Sequence, residues 1–299
     1  MRILDLDDLQ IFRSVAREGG IMRAAQQLHR VPSNVTTRVK QFEGRLGVRL
    51  FRRQGRGLAL TDAGNALLGH AERILQMAEA AERAVCSGVA HGTLRLGSLE
   101  SAAGVRLPPV LSAFHARHPD ISIELRTGTT GTLLRLLERF EIEAAFVSEP
   151  FEAATLSSLP MFTEELVLIT SKAAPRCRSA RDLHGQTVVA FPHGCSYRRR
   201  LVEWLAESGA SPARLLDLGS YHAIVACVAA GTGVAIVPAQ VLDHAIAGAA
   251  VQRHPLPARL RVNRTHLVWS GDASPALHAL IDMLPKSRAK VRRPAVRSA

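Results

Sequence analysis

The stretch IMRAAQQLHRVPSNVTTRVKQFEGRL (residues 21–46) reads as a helix, a tight turn and a second helix. In the second helix Val35, Val39, Phe42 and Leu46 recur at helical spacing and make one buried stripe. Pro32 suits its first turn, and Gly47 stops it. The opposite face at its N-terminal end carries Ser33, Thr36, Thr37 and Lys40, with no large apolar residue among them. Short hydrogen-bonding side chains with basic flanks suit the DNA major groove, where base edges show their full donor and acceptor pattern. A merely solvated face is the alternative, and the flanking sequence weighs against it.

Upstream, residues 4–18 put Leu6, Leu9, Phe12, Val15 and Ala16 on one face of a helix that ends at Gly19-Gly20. Ala24 and Ala25 are small enough to let neighbouring helices approach closely. Downstream, VRLFRRQGRGLALT (residues 48–61) reads as strand, turn and strand, a wing whose tip carries Arg52, Arg53 and Arg56. From Arg30 to Arg56 there are eight bases against one acid, Glu43. The candidate phosphate contacts are Arg30, Lys40, Arg52, Arg53 and Arg56, with Arg23 and Arg38 on the same basic surface. Ser33, Asn34, Thr36 and Thr37 are the candidate base readers.

The charge is unevenly placed along the 299 residues, whose net charge is +12. Residues 1–60 hold twelve Arg or Lys against five Asp or Glu, and the tail from Lys286 holds six bases and no acid. The middle is therefore near neutral, which suggests a nucleic-acid module joined to a body with another task. A hydrophobic fraction of 47% fits a globular chain of two or three domains. MRILDLDDLQ has no apolar run of signal-peptide length, and the apolar stretch Ala223–Pro238 is broken by Gly231-Thr232-Gly233, so no membrane partner is expected. Cys86, Cys177, Cys195 and Cys227 lack CxxC spacing, which points to a reducing cytoplasm rather than to zinc or disulfides. No metal or cofactor is expected.

FRSVAREGGIMRAAQQLH, then NVTTRVKQFEGRLGVRLFRR, then LTDAG resemble the N-terminal domain of LysR-type transcriptional regulators over the first sixty-odd residues. Gly20-Ile21 stands where Ser-Phe is common there, and Val31-Pro32 where Ser-Gln often opens the recognition helix, so individual base contacts do not transfer. Thr61 reads as the cap of a long helix reaching about Ser87, with Leu67, Ala71, Ile74, Ala78, Ala81 and Val85 alternating four and three residues apart, a heptad seam. Such a seam implies a partner helix. The resemblance favours one from a second copy, giving a dimer suited to a pseudo-palindromic site and, further, a dimer of dimers. RNA polymerase is a further partner that the resemblance implies.

After a hinge at Ser87-Gly88, strands and helices alternate twice, implying mostly parallel sheet wound by helices in two lobes. Two lobes joined by two crossings resemble periplasmic binding proteins, an architecture that LysR-type effector domains share. The expected fold is α/β overall, with an N-terminal all-α winged helix-turn-helix (1–60), a linker helix (61–88) and a two-lobed α/β effector-binding domain (89–286). Lobe I takes 92–163 and 267–286, lobe II takes 164–266, and the basic tail 287–299 is expected to be disordered.

Ligands of open α/β sheets sit beyond the carboxyl ends of strands. The polar loops there offer Ser98, Glu100 and Ser101; Thr127, Gly128 and Thr129; Gly194, Cys195, Ser196, Tyr197 and Arg198; and Tyr221. Free amides at a helix start with Arg198 as a fork suggest a small organic anion as effector. Three other functions were weighed. Cys195 with His193 as a catalytic pair lacks a third orienting group, so no enzyme activity is expected. Cys195 as a redox sensor draws on the thiol-activating effect of a helix start. A solute-binding transport protein leaves the basic head unexplained.

Overall fold

The computed structural model describes residues 4–55, 57–86, 92–152 and 155–284. Arg56, the hinge at Ser87-Gly88 and the tail 287–299 lie outside the described residues. The chain divides into two compact units, Met1–Val89 and Ala90–Ala299.

The first unit stacks α1 (Leu6–Glu18), α2 (Ile21–Gln27) and α3 (Pro32–Leu46) beside a hairpin of β1 (Phe51–Gln54) and β2 (Gly57–Leu60), then α4 (Asp62–Cys86). Gly19 and Gly47 close α1 and α3 in the left-handed conformation, at φ 64° and 70°. Val35, Val39 and Phe42 are buried, and Ala24 and Ala25 are sealed between helices. The hairpin is docked to the α1–α2 turn by the Leu58 amide on the Gly19 carbonyl at 3.1 Å. Thr61 caps α4 by accepting from the Gly64 amide at 3.1 Å, while its own hydroxyl donates to the Arg49 carbonyl at 2.7 Å.

The seam expected on α4 is corrected in its first half. Ala71 is fully buried in its own chain, and Leu67 and Ile74 pack with it against the cluster of Leu9, Phe12, Phe42 and Leu50. An amphipathic helix buries its stripe on the nearest apolar face, and α1 and α3 supply one. Further along, Ala78 is half-buried, Ala81 is exposed and Met77 is 73% exposed. The side chain of Val85 lies outside the described residues.

The second unit holds two lobes. In the first, β3 (Gly92–Ser98) pairs in parallel with β4 (Ile121–Thr127) and β5 (Ala144–Ser148). Around them lie α5 (Glu100–Val105), α6 (Leu107–Arg117), α7 (Thr130–Glu138) and, at the end of the chain, α12 (Pro275–Met283). The chain breaks at Arg106 between α5 and α6, because Pro108 and Pro109 start a new helix.

The crossings are made by β6 (Leu156–Ser171) and β11 (Val262–Ser270), which pair antiparallel with each other, while β11 also pairs with β5. The mostly parallel sheet is thus corrected to a mixed one: two adjacent strands that carry the chain out and back run in opposite directions. The expected lobe boundary at 163/164 falls inside β6. In the second lobe β6 is flanked by β9 (Ala235–Pro238) and β10 (Val251–Pro255), both antiparallel to it. The parallel pair β7 (Thr187–Ala190) and β8 (Arg214–Asp217) joins through the Val188–Val234 bridge. Covering helices are α8 (Ser196–Glu207), α9 (Tyr221–Ala229), α10 (Ala239–His244) and α11 (Ala258–Arg261).

Gly64 in the first turn of α4 faces the Leu50 backbone so closely that a Cβ there would collide with the Leu50 carbonyl oxygen. Gly64→Ala is therefore expected to lower stability by about 1–3 kcal/mol in chemical denaturation, the usual range for overpacking.

Candidate functional site

In the first unit, α3 turns Ser33, Asn34, Thr37 and Lys40 to solvent. Thr36 is half-buried, and its hydroxyl donates back to the Pro32 carbonyl at 2.9 Å, which withdraws it from base reading. The cations sort into two groups. Arg30 forks onto Asp7, its Nη1 and Nη2 lying 3.0 and 2.6 Å from the two carboxylate oxygens. Arg38 places Nη2 2.8 Å from both Asp7 and Asp8, and Arg45 pairs with Asp8, which is 2% exposed. Arg49 pairs with Glu43 at 2.9 Å. Arg38, placed by sequence on the basic surface, is thus paired internally. Arg23, Lys40, Arg52 and Arg53 are exposed and form no ion pair among the described residues.

Glu43 is the acid that sequence reasoning passed over. It is buried, and its Oε1 accepts from the amides of Leu50 at 2.8 Å and Phe51 at 3.1 Å. These bonds lock the end of α3 to the root of the wing. Its isolation among eight bases was the available signal.

In the second unit the loops after β4 and β7 meet. The Gly131 amide donates to the Gly194 carbonyl at 3.2 Å. Gly194 has φ 95°, and a Cβ there would lie 2.9 Å from Thr129 Oγ1, so only glycine fits this approach. Thr129 caps α7 by accepting from the Thr132 amide at 3.2 Å. Ser196 donates to Ser148 at 2.9 Å across the lobes, and Arg199 donates to the Pro150 carbonyl at 2.9 Å. Arg200 donates to the carbonyls of Glu149 at 3.0 Å and Val262 at 2.9 Å. Its half-burial lowers the guanidinium pKa.

Behind this junction lies a buried polar cluster that the sequence did not reveal. Glu164 on β6 accepts from Tyr197 OH, Asn263 Nδ2 and Thr265 Oγ1, each at 3.2 Å. Asn263 stands opposite Glu164 in the β6–β11 register and accepts from Ser148. Burial first, and then the Glu164 charge, pushes the Tyr197 phenol well above its ordinary pKa, so it remains a donor. Glu164 and Asn263 sit in different strands and Tyr197 in a helix, so nothing local marks the cluster.

Ser98 and Ser101 are buried beside the junction, whereas Thr127 is exposed and Gly128 donates its amide to the Ser98 carbonyl at 3.1 Å. Glu100 opens α5, accepts from the Tyr221 amide at 3.4 Å, and has its pKa raised by burial. Phe191, Cys195, Tyr197, Arg198, Tyr221 and Ile236 line a cavity of about 10 Å³, room for about one water. Two expectations change here. Arg198 is turned onto Asp217, with Nη1 2.7 Å from Oδ1, so its fork is already occupied. Cys195 has its thiol pushed up by burial, which outweighs the amides of Arg198 and Tyr197 and the Arg198 charge. His193 is exposed.

Residues 6–65 match the family model described as bacterial regulatory helix-turn-helix protein, lysR family, and residues 87–289 match the LysR substrate binding domain. The chain is 38% identical to the HTH-type transcriptional regulator YofA of Bacillus velezensis, over 90% of this chain and 93% of that one. It is 33% identical to GltR of Bacillus subtilis, over 97% and 99%. Among solved structures it superposes on a full-length OxyR variant from Pseudomonas aeruginosa with TM-score 0.71 at 21% identity, covering 94% of each chain. It also superposes on CbnR complexed with target DNA, with TM-score 0.66 at 23% identity, covering 94% and 99%. These last two likenesses speak to the fold. Among the described residues no helix is long and apolar enough to cross a membrane.

A raised thiol pKa means that less of Cys195 is thiolate at neutral pH, and that the thiolate fraction climbs only as pH rises past the ordinary thiol range. Iodoacetamide should therefore alkylate Cys195 more slowly than a free thiol at pH 7, with the rate still rising at pH 9. Mass-spectrometric peptide mapping over time checks this; rapid labelling at pH 7 would restore the redox reading.

Proposed function

The chain belongs to the LysR family of DNA-binding helix-turn-helix transcriptional regulators, and from that premise we propose how it reads DNA and what controls it. Ser33, Asn34 and Thr37 read base edges while Arg23, Lys40, Arg52 and Arg53 hold phosphates. One observation carries this assignment: these four cations are exposed and pair with no acid among the described residues, whereas Arg38, Arg45 and Arg49 are spent on Asp8 and Glu43. Arg56 extends the same wing by sequence. The protein acts by binding rather than catalysis.

A small organic effector enters between the lobes, displaces the Gly131–Gly194 and Ser148–Ser196 contacts and shifts the lobe equilibrium, which alters how copies of the chain bend or space themselves on DNA. Support comes from the short bonds that hold the two loops together, since a ligand replacing them gains differential affinity for one state. With Arg198 matched by Asp217, the charge of the effector is open to either sign. Self-association uses the exposed part of α4 around Met77 and Ala81, its first half being packed inward.

Arg52→Gln and Arg53→Gln should each flatten the log–log salt dependence of DNA binding by roughly 0.9, measured by fluorescence anisotropy on the chain's own upstream region. Unchanged slopes in both would take the wing off the backbone. For the cleft, a thermal-shift panel of matched organic acids and amines on the full chain identifies a ligand. Gly194→Ala, which disrupts the contact that the ligand has to displace, should then strengthen its affinity about tenfold, the size typical of a 1.4 kcal/mol gain. Equal affinity would put the effector elsewhere.

A further inference from the structure

Asp7 is about one-third exposed and placed in the first turn of α1, yet it is committed to two arginines of the DNA-facing region. Arg38 donates its hydrogen bond to Asp7 but keeps a second carboxylate close by, since Asp8 lies 2.8 Å from the same Nη2. What Asp7 adds is Arg30, at the turn between α2 and α3, gripped through both terminal nitrogens. An exposed ion pair of this kind contributes little to folding. Its consequence is electrostatic: the cation nearest the start of α3 is neutralised by a carboxylate that itself repels phosphate.

We propose that Asp7 restrains DNA affinity by holding Arg30 away from the phosphate backbone, so that binding depends more on base contacts and less on charge. Counterion release supplies the reason. A cation already matched by an internal anion releases no condensed counterion from DNA when it approaches, whereas a free one releases nearly one. A restraint on this sequence-independent term lowers occupancy of random DNA, which competes with the operator in vast excess. Arg30 is thereby separated from Arg23, Lys40, Arg52 and Arg53, which carry no such partner, and its place among the phosphate contacts expected from sequence becomes conditional on Asp7. The inference rests on the DNA-reading face proposed above.

The experiment uses the full chain, a random-sequence 40-base-pair duplex and the chain's own upstream region, titrated by anisotropy across a salt series. In Asp7→Asn the salt slope on random duplex should steepen by about 0.9, with affinity rising about 5–10-fold at 0.1 M salt. Arg30→Gln alone should leave the slope as in the unmodified protein, and the double variant should return to that same slope. The ratio of affinities for upstream and random DNA should fall in Asp7→Asn. A flattened slope in Arg30→Gln alone would show that Arg30 reaches phosphate despite Asp7, and would overturn the proposal. Weaker binding in Asp7→Asn would do the same, by making Asp7 a support for the DNA face. If the unmodified protein binds neither duplex at low salt, the DNA-reading face itself fails, an outcome separate from both.

Discussion

A carboxylate taken out of water must be met by donors, and three of the buried acids among the described residues organise the two units. Asp8 and Glu43 are buried in the first unit and Glu164 in the second. Leaving one unmatched costs several kcal/mol, so each gathers partners from distant parts of the chain. Asp8 draws Arg38 and Arg45 inward from α3. Glu43 takes two wing amides and Arg49. Glu164 joins α8 of one lobe to both crossing strands through Tyr197, Asn263 and Thr265.

The consequence in the first unit is a division of labour among like charges. Seen as a sequence, the region from Arg30 to Arg56 is simply basic. Folded, it holds arginines that fasten the helix to its scaffold and cations left exposed for another use. The spent arginines tie α3 to α1 and to the root of the wing, and so set how α3 presents Ser33, Asn34 and Thr37 to solvent. In the second unit the same physics fixes the junction between the lobes. Arg199 and Arg200 hold the carbonyls of Pro150, Glu149 and Val262, and Ser148 meets both Ser196 and Asn263. A ligand that enters between the lobes therefore works on a junction made of a few polar bonds, each modest and collectively decisive.

The helices of the first unit were legible because their signals are local: a stripe of Val35, Val39 and Phe42, a proline at the start of α3 and glycines at its end. The wing was legible for the same reason. The first half of the long strand β6 leaves little trace in the sequence, because Pro160 and the polar Ser157, Ser158 and Thr163 interrupt its apolar run. Strand β10 escaped because Gln252, Arg253 and Pro255 give VQRHP no strand-like alternation. The site was less legible than the fold. Arg45 and Asp8 are 37 residues apart, and Asn263 and Glu164 are 99 apart, so neither pairing leaves a mark in any short window. Arg198 reads as a free fork for the same reason: Asp217, at the end of β8 and 19 residues away, claims its Nη1.

A structure of the full chain bound to a duplex from its own upstream region tests the division of labour most directly. Arg38 and Arg45 should remain on Asp8, and Arg49 on Glu43, while Arg52 and Arg53 lie on phosphates and the Ser33–Thr37 edge of α3 lies in the major groove. Finding Arg38 or Arg45 released from Asp8 and seated on the DNA backbone would contradict it.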